Sequence, residues 1–318
     1  MKFRKNIYLF IIGVIGFVLL ESAVNEYVAE PMTKEKLGSI LFEEKLLSRD
    51  KTISCASCHI PSLGFADSTK VSKGVFGRIG TRNTPSVMNI KFRPYFFYDG
   101  RAATLEEQVH FPVNHPDEMD FSLREGANRI NKLEKYRKYF KKIYGKLADS
   151  ANITNAIVSF EMTLETEETE FDNWMQDKPN NMSESAKRGR KLFLNPKTKC
   201  FECHFSPDFT GDDFKNIGMF DGKTMKDVGR FTITKDSADL GKFKVPTLRN
   251  VAKTPPYMHN GYFKTLKEVI DYYDDPLKLL PNAINRDTLL NAPLHLTEQE
   301  KIDLEQFLIS LTDKKVYK

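Results

Sequence analysis

All four cysteines of the chain fall in two C-x-x-C-H motifs, Cys55-Ala56-Ser57-Cys58-His59 and Cys200-Phe201-Glu202-Cys203-His204. This is the spacing of a c-type haem attachment site. Two thioethers on one turn of chain hold the porphyrin, and the adjoining histidine is set beneath the iron. Two other chemistries use paired cysteines. Zinc would need a site assembled from two distant halves, and a redox dithiol expects a βαβ setting. Neither accounts for a histidine after both pairs. The expectation is two covalently bound haems, anchored by Cys55, Cys58, Cys200 and Cys203 and ligated by His59 and His204.

The motifs mark equivalent points of an internal repeat. Gly38, Leu41 and Phe42 form a G-x-x-L-F upstream of the first, and Gly189, Leu192 and Phe193 repeat it upstream of the second. Downstream, Pro85-Ser86-Val87-Met88-Asn89 matches Pro246-Thr247-Leu248-Arg249-Asn250. Fifteen residues after each proline stands a glycine, Gly100 or Gly261, and four further on a threonine, Thr104 or Thr265. Glu107 and Glu268 follow three residues later, the spacing of a capping box, so a helix is predicted to start at the same place in both halves. Ungapped agreement over this distance points to duplication.

The remainder reads helical. Ile130, Leu133, Tyr136, Phe140, Ile143, Tyr144 and Leu147 recur at three- and four-residue steps, as do Ile153, Ile157, Phe160 and Leu164. Thr297 and Glu300 cap a last helix carrying Leu304, Phe307, Leu308 and Leu311. No run of four or more residues alternates as a strand. The predicted fold class is all-α: two tandem c-type cytochrome domains, residues 31–180 and 181–318, related by internal duplication, with a boundary near Asp177–Ser183. Residues 60–100 and 205–261 are rich in Gly, Pro and polar residues, and wrapping a haem would give loops of that length a reason to be ordered. The run Glu165–Glu170 reads as a solvated acidic face, and the single tryptophan, Trp174, as core.

Lys2, Arg4 and Lys5 precede an uncharged stretch of 14 residues, Ile7–Leu20. That is short of the roughly 20 residues that span a bilayer core, so residues 1–23 read as a signal peptide. Glu21 would sit at the −3 position for a cut after Ala23, which leaves an uncleaved N-terminal membrane tether as the alternative. Either way the expected location is periplasmic. A net charge of +5 without a Lys/Arg block argues against a nucleic-acid partner.

The string FYDGRAATLEEQVHFPVNHPDEM in the first half and TPPYMHNG in the second resemble the bacterial dihaem cytochrome c peroxidase/MauG family. The resemblance covers nearly the whole chain after residue 31. It implies a peroxidatic haem in the N-terminal domain and an electron-relay haem in the C-terminal one. Gln108 and Glu118, ten residues apart, match the family's distal Gln and Glu. Asn83, Thr254 and Pro256 match the positions that hold a calcium ion between the domains. Tyr98 falls where the family usually has a Trp between the haems. Tyr273, fourteen residues after His259, stands where family peroxidases have a methionine ligand to the relay haem, as in the MauG branch.

The repeat adds an argument of its own. Tyr273 lies twelve residues after Gly261, and twelve after Gly100 lies Pro112, which has no ligating side chain. One closed and one open iron are therefore expected. Between His59 and His110 there is no histidine to block the open one. Met258 and Tyr272 are the alternatives to Tyr273 as ligand, and His259 is expected to hydrogen-bond near the relay haem. His110, His115 and His295 read as ordinary exposed histidines. The leading functional expectation is an exported peroxidase that reduces hydrogen peroxide with electrons from a small redox protein of cytochrome c or cupredoxin type. Glu118 would be its acid/base and Gln108 would orient the peroxide. The alternatives are a MauG-like oxidase that modifies a partner protein, and a dihaem electron carrier without catalysis.

Overall fold

Most of the helices begin where a side chain satisfies a free N–H group of the first turn. In the computed structural model, which describes residues 31–315 and 317, the helices are α1 (Lys34–Phe42), α2 (Leu105–Asn114), α3 (Leu123–Ile130), α4 (Glu134–Tyr144), α5 (Ser150–Glu161), α6 (Glu170–Met175), α7 (Glu184–Phe193), α8 (Phe231–Thr234), α9 (Leu266–Asp274), α10 (Pro276–Leu279) and α11 (Glu298–Ser310). Thr104 and Thr265 cap α2 and α9, each accepting from the N–H of the glutamate three residues on. The two helices thus start in register, as expected. The signal-peptide or tether reading of residues 1–23 lies outside the described residues. Among those described, no helix is long and apolar enough to cross a membrane. The only strands there are β1 (Phe214–Lys215) and β2 (Phe243–Lys244), paired antiparallel with Phe214 opposite Lys244.

Two helix crossings carry the core, and both depend on a glycine. A Cβ on Gly38 of α1 would lie 1.9 Å from the Ala156 carbonyl oxygen of α5, and one on Gly189 of α7 would lie 1.8 Å from that of Asp303 in α11. Only a residue without a side chain lets these backbones touch. Around the first crossing lie Leu37, Leu41, Phe42, Ile153 and Ile157, all nearly inaccessible. Around the second, Phe171, Phe193, Phe209 and Phe307 pack as a cluster of edge-to-face and tilted rings, with Trp174 against it.

A second pair of matching devices ties the loops to these helices. Asn89 and Asn250 both adopt left-handed backbone, φ +56° and +61°, a conformation asparagine tolerates better than most residues. The N–H of Asn89 donates to Leu164 O and its side-chain oxygen accepts from Thr166 N, both at 2.8 Å. Asn250 does the same with Leu311 O at 3.0 Å and Asp313 N at 2.7 Å. Both amide nitrogens then donate to the Thr166 hydroxyl. From Thr33 onward the chain is one compact unit.

Two sequence expectations need correction. The periodic run from Ile130 to Leu147 is not one helix. It breaks after Ile130 because the Asn131 side chain bonds the backbone of Ala148 in both directions, at 2.9 and 3.0 Å. Leu133 and Leu147 are consequently exposed rather than core. The acidic run is not simply solvated. Asp313 accepts from the N–H groups of Glu167 and Glu168, Lys314 and Lys315 pair with Glu168, Glu170 and Glu167, and the Tyr317 hydroxyl donates to Glu165 O at 2.8 Å. The Tyr317 ring also meets Phe65 edge-on, in the segment that follows the first C-x-x-C-H motif.

Candidate haem-binding active site

One cavity of about 1160 Å³ collects both motifs: Cys55, Cys58, His59, Cys200, Cys203 and His204 all line it. It exceeds the ~300–1,000 Å³ usual for a single small-molecule site. Each cysteine pair is wound on a 3₁₀ turn, Cys55–Ser57 or Cys200–Glu202, and the next N–H of each histidine bonds back to Cys55 O or Cys200 O, at 2.9 and 3.0 Å. This puts both sulfurs and the imidazole of each motif against the same wall.

The histidines are oriented alike. His59 Nδ1–H donates to Phe65 O at 3.0 Å and His204 Nδ1–H to Phe209 O at 2.9 Å. Phe65 and Phe209 both hold left-handed backbone, φ +56° and +54°, which is unusual for a bulky residue. Strain of about 1–3 kcal/mol is characteristic of such positions and concentrates at functional sites. With Nδ1–H fixed on a carbonyl, each ring offers an unprotonated Nε2, the arrangement of a metal-ligating histidine. Burial keeps both rings neutral, pushing their pKa values down.

The cysteines are free of disulfides. Burial pushes the Cys55 thiol up to about 12 and the other three to about 11. A thiolate for redox exchange needs the opposite shift, so the pairs do not read as redox dithiols.

The other walls of the cavity differ between the halves. Tyr273 and Pro112 each occupy the eighth position of their helix, α9 and α2, and both line the cavity. Of the alternative ligands, Tyr272 turns its hydroxyl to the Ile217 carbonyl, while Met258 does line the cavity. Gln108 lies one helical turn before Pro112 and faces the same way. Glu118 follows in the turn after α2. Its carbonyl accepts from Val75 N at 2.8 Å, an approach open because a Cβ on Gly74 would lie 2.1 Å from Asp117 O. Burial raises the Glu118 pKa, against the pull of His115 and Arg101.

Tyr98, Asn83, Thr254 and Pro256 also line the cavity. Burial lifts the phenols of Tyr98 and Tyr273 well above the usual range. Asn83 turns its amide nitrogen to the carbonyls of Thr69 and Lys70, which leaves its oxygen free as an acceptor. His259 is buried, stacked on Phe243 at 3.7 Å, and held neutral with its pKa pushed down to about 4 by burial.

His115 is exposed, as expected, and lines the cavity with its Nδ1 4.0 Å from the Glu118 carboxylate. His110 is half-buried and bonds Thr154 at 3.3 Å; His295 is exposed. Arg101 stacks on Phe97 at 3.6 Å and pairs with Asp99. Arg82 bonds both Asp99 and Asp227 at 2.7 Å, joining segments far apart in sequence. Lys244 is partly buried at the wall, and burial lowers its pKa to about 8 against the pull of Asp212. Arg82 and Lys244 carried no sequence signal, whereas Asp99 and Arg101 lie in the family-like string.

Residues 32–180 match the family model described as di-haem cytochrome c peroxidase. The methylamine utilization protein MauG of Methylorubrum extorquens is 35% identical over 89% of this chain and 80% of its own length. The cytochrome c551 peroxidase of Nitrosomonas europaea is 35% identical over 74% of this chain and 71% of its own. A solved MauG-like protein associated with microbial copper homeostasis superposes with a TM-score of 0.82, at 32% identity, covering 91% of this chain and 92% of that one.

Proposed function

The chain belongs to the di-haem cytochrome c peroxidase and MauG family, and from that premise we propose that it is an exported, periplasmic enzyme reducing hydrogen peroxide with electrons from a small redox protein. The observation that carries this reading is a single cavity bearing both C-x-x-C-H motifs, with Gln108 and Glu118 beside Pro112 and Tyr273 on the matching helix of the other half.

The residues present fit two haems. The cysteines are free of disulfides, each His Nδ1 is committed to a backbone carbonyl so that Nε2 faces the cavity as a ligand, and Lys244 lines the same cavity as an amine suited to the acid groups of a porphyrin. When bound, haem supplies an iron that accepts and passes on single electrons. Cys55 and Cys58 would hold one and Cys200 and Cys203 the other as thioethers, with His59 and His204 as ligands. Tyr273 would complete the second site as a further ligand, whereas Pro112, at the matching position of the first, has no ligating side chain and would leave room for substrate. Gln108 orients the peroxide. Glu118, in its ionised form, takes the proton from one peroxide oxygen and returns it to the other, which departs as water. Two electrons and two protons complete the conversion of one peroxide to two waters. Tyr98, buried in the same wall, is the candidate to relay electrons between the halves.

The matching glycine crossings and asparagine latches support an origin by duplication, and the lining loops support their role in wrapping haem. In this reading residues 31–180 and 181–318 are the two cytochrome domains, with residues 1–23 as signal or tether. The free oxygen of Asn83, with Thr254 and Pro256 at the same wall, supports an oxygen-ligated calcium ion. One feature favours the second reading, an oxidase acting on a partner protein: the lining residue at the eighth position of α9 is a tyrosine, Tyr273, as in the MauG branch, where family peroxidases have a methionine. The test is peroxide-dependent oxidation of reduced cytochrome c or cupredoxin by the holoprotein. Sustained turnover with water as the product is expected. Failure with every small donor, alongside oxidation of a partner's aromatic side chains, would favour the second reading.

A further inference from the structure

Glu161, the last residue of α5, is 4% exposed, and its Oε2 is buried without a hydrogen-bond partner. It lines the cavity, and its charge is felt at the Cys55 sulfur. Burial alone lifts its pKa to about 8, because no cation offsets the lost hydration. The helices packed on α5 supply none. Lys34, Glu35 and Lys36 of α1 are exposed, as are Glu106 and Glu107 of α2 and Arg124 and Glu125 of α3. His110 bonds Thr154 instead, and Arg129 bonds the carbonyls of Leu46, Ser48 and Arg49.

The second half shows what the fold needs at this place. Gly38 meets Ala156 and Phe160 as Gly189 meets Asp303 and Phe307. In that register Glu161 corresponds to Leu308, which is also buried and also lines the cavity. Hydrocarbon therefore suffices for packing, whereas a buried carboxyl with an unpaired oxygen is destabilising. The carboxyl occurs in the half with Gln108, Glu118 and Pro112.

We propose that Glu161 exchanges a proton with water in step with the oxidation state of the first haem site. When that iron gives up one electron to its acceptor, the Glu161 O–H bond breaks, one proton leaves to water, and the carboxylate left behind offsets the added positive charge. Reduction reverses both. In a poorly solvated cavity that charge compensation is strong, and linkage makes the iron's potential pH-dependent wherever its two states bind different numbers of protons. The proposal rests on the reading that Cys55, Cys58 and His59 hold a haem.

The experiment is a spectroelectrochemical titration of the holoprotein at pH values on both sides of the Glu161 pKa, with Glu161→Gln and Glu161→Leu alongside. The wild-type first haem should show a ferric-to-ferrous ratio that changes up to tenfold per pH unit, about 59 mV. Both variants should flatten that dependence and leave the second haem's profile unchanged. A flat wild-type profile, or a slope that survives in the variants, overturns the proposal. Should the variants fail to load haem, infrared difference spectra of the wild-type holoprotein decide it. A protonated-carboxyl band lost on oxidation supports the proposal, and its absence overturns it. A covalent mass of one haem would instead overturn the underlying reading, and the proposal with it; two haems with a flat profile overturns the proposal alone.

Discussion

Glu118→Gln isolates the proton-transfer role from everything else that residue does. Its backbone anchors the turn after α2 through Val75 N→Glu118 O at 2.8 Å and Glu118 N→His115 O at 3.1 Å, and glutamine retains both bonds. Its side chain is 37% exposed, and His115 Nδ1 lies 4.0 Å from its carboxylate, beyond hydrogen-bond reach. The substitution should therefore change stability by no more than about 0.5 kcal/mol. Removing a positioned acid/base should slow peroxide activation by about 10²–10⁴-fold, equivalent to roughly 3–5 kcal/mol of barrier. The pH profile carries the same signature. Burial raises the Glu118 pKa, so activity in the wild type should fall with acidity at a pH above the ordinary carboxylate range. Arg101 holds that pKa down, so Arg101→Met should move the fall to still higher pH. Stopped-flow mixing with peroxide measures both. A Glu118→Gln protein that holds two haems and reacts at the parental rate would refute the role.

Tyr273→Met should raise the second haem's potential in a redox titration, because a thioether favours ferrous iron where a phenolate favours ferric; an unchanged spectrum and potential would return Met258 as ligand. Gly189→Ala must push apart backbones that a Cβ would approach to 1.8 Å, and should cost at least about 1–3 kcal/mol in denaturant titration of the holoprotein. Asn250→Gly should be milder than Asn250→Ala by about 1 kcal/mol, since both lose the bond to Asp313 N but only alanine strains the +61° backbone.

The sequence carried the attachment chemistry because C-x-x-C-H is local: ligands and anchors share one turn. Helix starts at Leu105 and Leu266 were equally local, set by Thr104 and Thr265. What escaped depended on distant partners. Asn131 breaks a periodic run only because Ala148 returns to meet it. The acidic run acquires its cations from a tail some 145 residues away. Nothing local in a helical glutamate says that Glu161 will be buried without a cation.

If one side of a two-haem cavity is open to peroxide while Tyr273 closes the other, the fully ferric holoprotein should react on rapid mixing with a single equivalent of peroxide. Immediate spectral change at the first haem is expected, with one peroxide consumed per chain and no prior reduction. Reaction only after the second haem has been reduced would mean that the first iron is blocked and that Pro112 does not leave the site open.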